Sequence, residues 1–158
     1  NGRAFIGGVE VLGGYTAALP RKLFMPVRVA YTYTKATYRT TFESSDPTIG
    51  DIEKGDPIPY VPAHVMNAQL GFEKSFWGAY LIGTYFGKMG EGVVGLQPLP
   101  DTEGYFVLDV VGRVRFEPVE AYLRLQNLTN TRAIVSRRPF GARPNAPLSF
   151  QVGVQVAF

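Results

Sequence analysis

The residues that decide the fold are 147–158, which read PLSFQVGVQVAF. Apolar side chains alternate there with small or polar ones, and side chains two positions apart lie on the same face of a β-strand. The stretch therefore predicts a strand with one apolar face and one polar face. The apolar face would carry Leu148, Phe150, Val152, Val154, Val156 and Phe158. The polar face would carry Ser149, Gln151, Gly153, Gln155 and Ala157.

Other segments of the chain show the same period of two, are rich in β-branched and aromatic residues, and are bounded by turn residues. No segment is predicted as a helix. The segment 77–89 is ambiguous in its orientation, because apolar side chains occupy both faces, with Tyr80 and Ile82 on one and Leu81 and Tyr85 on the other. The seven predicted strands lie near residues 3–16, 26–43, 62–75, 77–89, 104–117, 119–129 and 147–158.

The fifth and sixth predicted strands carry charged side chains in mid-strand, on the face opposite their apolar side chains. Burying unpaired charges in a dry core costs several kcal/mol or more, so this face needs water nearby. The aqueous lumen of a barrel would supply that water. The residues predicted to face the lumen are Asp109, Arg113, Arg115, Glu120 and Arg124.

The predicted connections alternate between short and long. Strands three and four meet in a tight hairpin at Ser75 and Phe76, and strands five and six in another at Glu117 and Pro118. The connections between strands two and three, four and five, and six and seven are long. The first connection, residues 17–25, is intermediate in length but falls on the side expected to be short.

Outer-membrane β-barrels have short periplasmic turns and long extracellular loops, and their strands alternate between apolar and polar side chains. Both patterns together predict an all-β fold, an antiparallel transmembrane β-barrel segment of about seven strands. A soluble antiparallel sandwich or a lipocalin-like barrel is the alternative, since these folds also show alternation. Three such long loops would be unusual in a compact domain of this size.

Aromatic residues at the ends of the predicted strands suit the aromatic girdles found at membrane interfaces. Ordinary packing in the core of a soluble protein is the alternative interpretation. The residues predicted for the girdle are Phe76, Trp77, Tyr80, Phe116 and Phe158.

The composition argues against several classes of protein. The longest apolar runs are far shorter than the roughly 18 to 20 residues of a transmembrane helix. The chain contains no cysteine, which removes disulfide, zinc-thiolate and thiol-nucleophile interpretations. The net charge of +3 is spread over strands and loops rather than concentrated in a basic stripe, so no nucleic-acid partner is predicted.

No combination of side chains predicts catalysis, a metal site or a cofactor, so the chain is not expected to be an enzyme. The single histidine, His64, is expected to be a structural or interfacial residue rather than a metal ligand. Residues 90–95 match the dinucleotide-binding fingerprint, but residues 97–100 read QPLP where a helix should begin. A flexible extracellular loop is the better interpretation. The triplet at 127–129 fits the glycosylation pattern, which arises often by chance.

Several stretches resemble the C-terminal end of TonB-dependent outer-membrane receptors. They are Asn127-Leu128-Thr129-Asn130 before an Arg- and Pro-rich loop, Ala146 to Phe150 at the start of the last strand, Gly8 to Val11, and Pro59 to His64. In that family a barrel of about twenty-two strands encloses an N-terminal plug domain. The resemblance implies that residues 1–158 form the last strands of such a barrel. The plug domain and the earlier strands are then absent from this chain.

The resemblance also implies a function, namely energy-coupled uptake of a scarce nutrient across the outer membrane of a Gram-negative bacterium. The expected ligand is a ferric chelate, such as ferric citrate or a siderophore complex. A passive porin-like barrel and a surface adhesion or structural barrel without transport are the alternatives. The implied partners are outer-membrane lipid and lipopolysaccharide, the receptor's own plug domain and remaining strands, the TonB energy-coupling complex acting through the N-terminal part, and the barrel-assembly machinery, which would read Phe158.

The last long loop carries four arginines and no acidic residue between Thr129 and Pro147. Cationic side chains favour anionic ferric chelates electrostatically. The residues predicted to bind ligand are Arg137, Arg138 and Arg143. The alternative is a solvated loop whose charges pair with lipopolysaccharide phosphates or with acids of an earlier loop. Those acids are Asp46, Asp51, Glu53 and Asp56.

Overall fold

The computed structural model of the chain describes residues 2–43, 50–94, 97–98, 100–137 and 141–157. Its main element is a seven-stranded antiparallel sheet in which strands adjacent in sequence pair in space. The strands are β1 (Ala4–Leu19), β2 (Leu23–Tyr38), β3 (His64–Lys74), β4 (Trp77–Phe86), β5 (Tyr105–Phe116), β6 (Val119–Gln126) and β7 (Ser149–Val156). The predicted all-β fold and its seven strands are confirmed.

Three tight turns lie at one rim of the sheet and three long connections lie at the other. The turn between β1 and β2 is the three-residue segment Pro20–Lys22, in which Arg21 and Lys22 have left-handed φ values of +62° and +56°; it is this short because β1 continues to Leu19 and pairs it with Leu23. This connection is shorter than predicted. The other two tight turns are at 75–76 and 117–118, as predicted. The long connections span 39–63, 87–104 and 127–148, so short and long connections alternate.

Each long connection contains a short two-stranded ribbon. Because β2 ends at Tyr38 rather than near residue 43, Phe42–Glu43 belongs to the first ribbon and pairs with Asp51–Ile52. In the second ribbon Val93–Val94 pairs with Gln97–Pro98, and in the third Ile134–Ser136 pairs with Arg143–Pro144. The long connections therefore fold back on themselves at this rim.

The two faces of the sheet differ in polarity. The register aligns one apolar row across five strands, formed by Leu70, Leu81, Val110, Leu125 and Phe150. We call the face that carries this row the apolar face, and the opposite one the polar face. Large side chains of the apolar face remain exposed, at 74% for Phe150 and 69% for Val152. An exposed apolar surface of this extent requires a non-aqueous neighbour.

The described part of the chain has few buried apolar side chains. These are Ala36, Ile52, Met89 and Ala133. Three of the four lie in the long connections, so none of those three forms a dry core beneath the sheet. A soluble sandwich would instead bury apolar side chains between two sheets. This arrangement favours a barrel wall over the soluble alternative.

The register also decides the orientation of β4. Leu81 lies between Leu70 and Val110 on the apolar face, so Tyr80 lies on the polar face. The prediction that Tyr80 belongs to an aromatic girdle is therefore wrong, whereas Trp77 does lie on the apolar face, opposite Val114. Apolar side chains occupy both faces of β4, so the sequence alone does not decide which face of this strand lies on the apolar side of the sheet.

No helix in the described ranges is long and apolar enough to cross a membrane. Within those same ranges the sheet is open, since β1 pairs only with β2 and β7 only with β6. The sixteen residues of β1 therefore present one edge of unpaired backbone groups. Such an edge calls for a further strand, because a bilayer has no water to satisfy these groups.

Candidate functional site on the polar face and the long loops

All five residues predicted to face a lumen lie on the polar face. In the pairing of β5 with β6, Arg115 lies directly opposite Glu120. On the same face, Arg113 lies opposite Tyr122, and Arg124 lies opposite Val111. Asp109 lies on this face opposite Ile82. The structure thus brings the predicted set together on one surface. That the surface is the lumen of a closed barrel stays a prediction.

Each arginine of this set has a carboxylate partner within the sheet. The partners of Arg115 and Arg124 are Glu120 (Nε to Oε2, 2.6 Å) and Asp109 (Nη2 to Oδ2, 2.7 Å). Arg113 Nη2 donates to Glu73 Oε2 at 3.3 Å, and Glu73 is a residue that the sequence interpretation missed. The charges of the polar face are therefore largely matched within the wall. Its remaining polarity is suited to contact with water or with a polar plug.

We expect the ion pairs on the polar face to contribute little to stability, because they are partly exposed to solvent. Exposed pairs are typically worth about 0–1 kcal/mol. Arg115→Gln should therefore lower the free energy of unfolding of the complete receptor by no more than about 1 kcal/mol. Urea unfolding followed by tryptophan fluorescence measures this. A loss of several kcal/mol would show that the pair is buried by another part of the receptor.

Tyr80 is held on the polar face by a glycine and two charged residues. A Cβ atom at Gly71 would lie 2.5 Å from Tyr80 Cδ1, so only glycine leaves room for the ring. The Tyr80 hydroxyl donates to the Glu73 carboxylate, and the Arg113 guanidinium lies 5.7 Å from the centre of the Tyr80 ring. Tyr80, Glu73 and Arg113, together with Arg28, line a polar concavity near the short-turn rim.

Asn127 ties the last long connection to the sheet. Its side chain is buried, and Nδ2 donates to the carbonyls of Thr131 (2.9 Å) and Ala146 (2.8 Å). Oδ1 accepts from the Thr131 N–H (2.9 Å), and the Asn127 N–H donates to Asp109 Oδ1 (2.9 Å). The side chain of Asn127 therefore joins both ends of the loop, and its backbone N–H joins them to strand β5. Asn127 belongs to the stretch Asn127-Leu128-Thr129-Asn130 that carries the family resemblance, but the sequence did not predict these hydrogen bonds.

The arginines of the last loop have different environments. Arg132 and Arg143 are exposed, whereas Arg137 donates through Nη1 to Glu91 Oε1 and to the Pro100 carbonyl, both at 2.9 Å. Two of the predicted functional residues, Arg138 and Phe158, lie outside the described residues. Ligand binding by the three predicted arginines and recognition of Phe158 by the assembly machinery stay predictions.

Glu91, the partner of Arg137, is the main residue that sequence reasoning missed. It lies within the glycine-rich segment interpreted as a flexible loop, and it is fully buried. The acidic residues considered above as possible partners of the loop arginines belong to the first long connection, whereas Glu91 belongs to the second. No local signal distinguishes Glu91, because its partner is 46 residues away along the chain.

His64 lies at the long-connection rim of the apolar face. Its Nδ1 is 2.8 Å from the Tyr31 hydroxyl, and its ring lies 5.4 Å from that of Tyr33. An aromatic cluster with polar tips suits a membrane interface. This environment agrees with the expected structural or interfacial role.

The two-faced antiparallel wall, with short turns at one rim and long loops at the other, defines a segment of an outer-membrane β-barrel. The sequence profile described as TonB dependent receptor-like, beta-barrel matches residues 1–128. The chain belongs to this family of TonB-dependent receptor barrels. This family is one of receptors rather than enzymes. No curated protein matches the sequence.

Two solved structures of the ferric-catecholate import receptor Fiu from Escherichia coli K12 share this fold. The closed form matches 99% of this chain and 21% of its own, with a TM-score of 0.72 and 22% sequence identity. The open form matches 96% of this chain and 26% of its own, with a TM-score of 0.54 and 18% identity. The chain thus spans about a quarter or less of the length of these receptors.

Proposed function

We propose that residues 1–158 form the C-terminal part of the barrel wall of an outer-membrane receptor that takes up a ferric chelate in a TonB-dependent step. The observation that carries the proposal is the sheet with one exposed apolar face, one charged face and long loops at a single rim. Membership of the TonB-dependent receptor family supports energy coupling. The plug domain and the remaining strands then belong to other parts of the receptor, and so does the segment that contacts TonB.

In this receptor the apolar face contacts outer-membrane lipid, and the polar face contacts water and the plug domain. The free edges of β1 and β7 pair with the remaining strands of the barrel, which satisfies their backbone groups inside the bilayer. The long connections lie at the extracellular rim together with lipopolysaccharide. They form part of the entrance through which the ligand reaches the lumen.

A ferric chelate is the proposed ligand for two reasons. Fiu, which shares the fold, is described as a ferric-catecholate import receptor. In addition, the last loop has no acidic residue between Thr129 and Pro147, and its Arg143 is exposed at the rim. Ferric chelates with anionic ligands are attracted to such a cationic surface. We therefore propose Arg143 and Arg138 as the residues that attract the ligand, whereas Arg137, whose guanidinium donates to Glu91, holds the loop that carries them.

Uptake of ⁵⁵Fe-labelled chelates by cells that produce the complete receptor tests this function. We expect uptake of at least one ferric catecholate or ferric citrate complex, and we expect it to stop when the proton-motive force is collapsed. Uptake that continues without this energy would identify a passive barrel instead. Binding to whole cells without any uptake would support the adhesion alternative.

Replacing Arg138 and Arg143 together by glutamine should weaken binding of the transported chelate by about tenfold or more, since charged hydrogen bonds contribute about 1.5–3 kcal/mol each. The matched control replaces Arg21 and Lys22, two cations at the opposite rim, by glutamine. Binding of the iron complex to purified receptor is measured by fluorescence quenching. Equal affinities for the two double variants would remove Arg138 and Arg143 from the ligand site.

A further inference from the structure

Glu91 has no exposed surface although it lies in the long connection between β4 and β5. Carboxylates are almost never fully buried unless they are paired. Side chains in long surface connections ordinarily face water. The burial of Glu91 therefore depends on partners supplied by other parts of the molecule.

All three long connections meet at the Glu91 carboxylate. Arg137, from the last connection, donates through Nη1 to Oε1 (2.9 Å) and through its backbone N–H to Oε2 (3.1 Å). Tyr60, from the first connection, donates through its hydroxyl to Oε2 (3.3 Å). Arg137 Nη1 also donates to the carbonyl of Pro100, in the same connection as Glu91. We call Tyr60, Glu91, Pro100 and Arg137 the three-loop clamp.

The backbone of Tyr60 provides a second observation. Tyr60 has a φ of +62°, a left-handed conformation that is unfavourable for a bulky residue. Such a conformation persists only where the surroundings hold it in place. Here the Tyr60 N–H donates to the carbonyl of Gly90 at 3.0 Å, while its hydroxyl reaches Glu91. The clamp therefore fixes the conformation of the first connection at two points.

We propose that Glu91 is a positioning residue that makes the three long connections behave as one unit, so that loss of one clamp contact loosens all three. The proposal rests on the proposed function in taking these connections as the ligand entrance. Arg137 serves to hold the last loop, because its charge is matched by Glu91. Arg143, which is exposed, is left to face an anionic ligand.

Amide hydrogen exchange of the complete receptor in detergent micelles, without ligand, tests the clamp. The most informative variant is Tyr60→Phe, which removes one hydroxyl whose hydrogen bond goes to Glu91 and not to the last connection. We expect exchange in residues 131–137 to become about tenfold faster, the effect of losing one charge-assisted hydrogen bond. Glu91→Gln should speed exchange at least as much in residues 50–63, 87–92 and 131–137.

The matched control is Glu103→Gln, which neutralises an exposed carboxylate in the same connection as Glu91 and should leave exchange in all three segments unchanged. The proposal is overturned if Tyr60→Phe affects only residues 50–63, or if Glu91→Gln behaves like Glu103→Gln. If Glu91→Gln fails to fold, the milder Tyr60→Phe decides alone. Since iron uptake is not measured, failure of the clamp is distinguishable from failure of the transport function.

Discussion

Replacing Leu81 by arginine is expected to deplete the folded receptor from the outer membrane. Leu81 lies near the middle of β4, on the apolar face between Leu70 and Val110. A charged side chain that faces lipid near the bilayer midplane costs a barrel about 2–4 kcal/mol. The measurement is the amount of folded, heat-modifiable barrel in isolated outer membranes, together with its free energy of unfolding in urea.

The matched control for this substitution is Ile82→Arg, at the next residue of the same strand. Ile82 lies on the polar face, directly opposite Asp109, so an arginine there lies beside a carboxylate that also accepts from Arg124, and it points away from the apolar face. Opposite charges across paired strands are mildly favourable. We expect Ile82→Arg to reach the membrane at a level close to that of the wild type. Equal losses for the two variants would refute the assignment of the faces.

Replacing Asn127 by alanine should produce the largest local loss of stability outside the membrane wall. The substitution leaves the carbonyl of Ala146 and the N–H of Thr131 without their partner, in a site where Asn127 is only 3% exposed, whereas the Thr131 carbonyl keeps its hydrogen bond from Asn145 Nδ2 (3.0 Å). Each buried polar group left unsatisfied costs about 1–3 kcal/mol. We therefore expect a loss of about 2 kcal/mol or more, seen as faster amide exchange throughout residues 127–137 and 141–148.

Two further variants separate the hydrogen bonds of Asn127 from its backbone conformation. Asn127 and Asn130 both have positive φ, +51° and +47°, but the side chain of Asn130 is exposed. Asn130→Ala should therefore lose only about 1–2 kcal/mol from backbone strain. Asn127→Gly removes that strain but not the loss of hydrogen bonds, so it should recover only about 1–2 kcal/mol relative to Asn127→Ala and stay well below wild-type stability. If Asn127→Gly restored wild-type exchange, strain rather than hydrogen bonding would explain the site.

The sequence by itself determined the strands and the alternation of short and long connections. Both depend on local physics, because the pleat gives a strand its period of two and turn residues punctuate the chain where it reverses. For this reason β7 and the charged face of β5 and β6 were predicted from their own residues. Short tight turns at 75–76 and 117–118 were predicted in the same way.

Only the tertiary structure decided features that depend on partners distant in the sequence. The orientation of Tyr80 follows from the pairing of β4 with β3 and β5, since the strand carries apolar side chains on both faces. The burial of Glu91 follows from its contact with Arg137, 46 residues away. A side chain's neighbours across a sheet or between loops are set by register and by chain reversal, which no local pattern encodes.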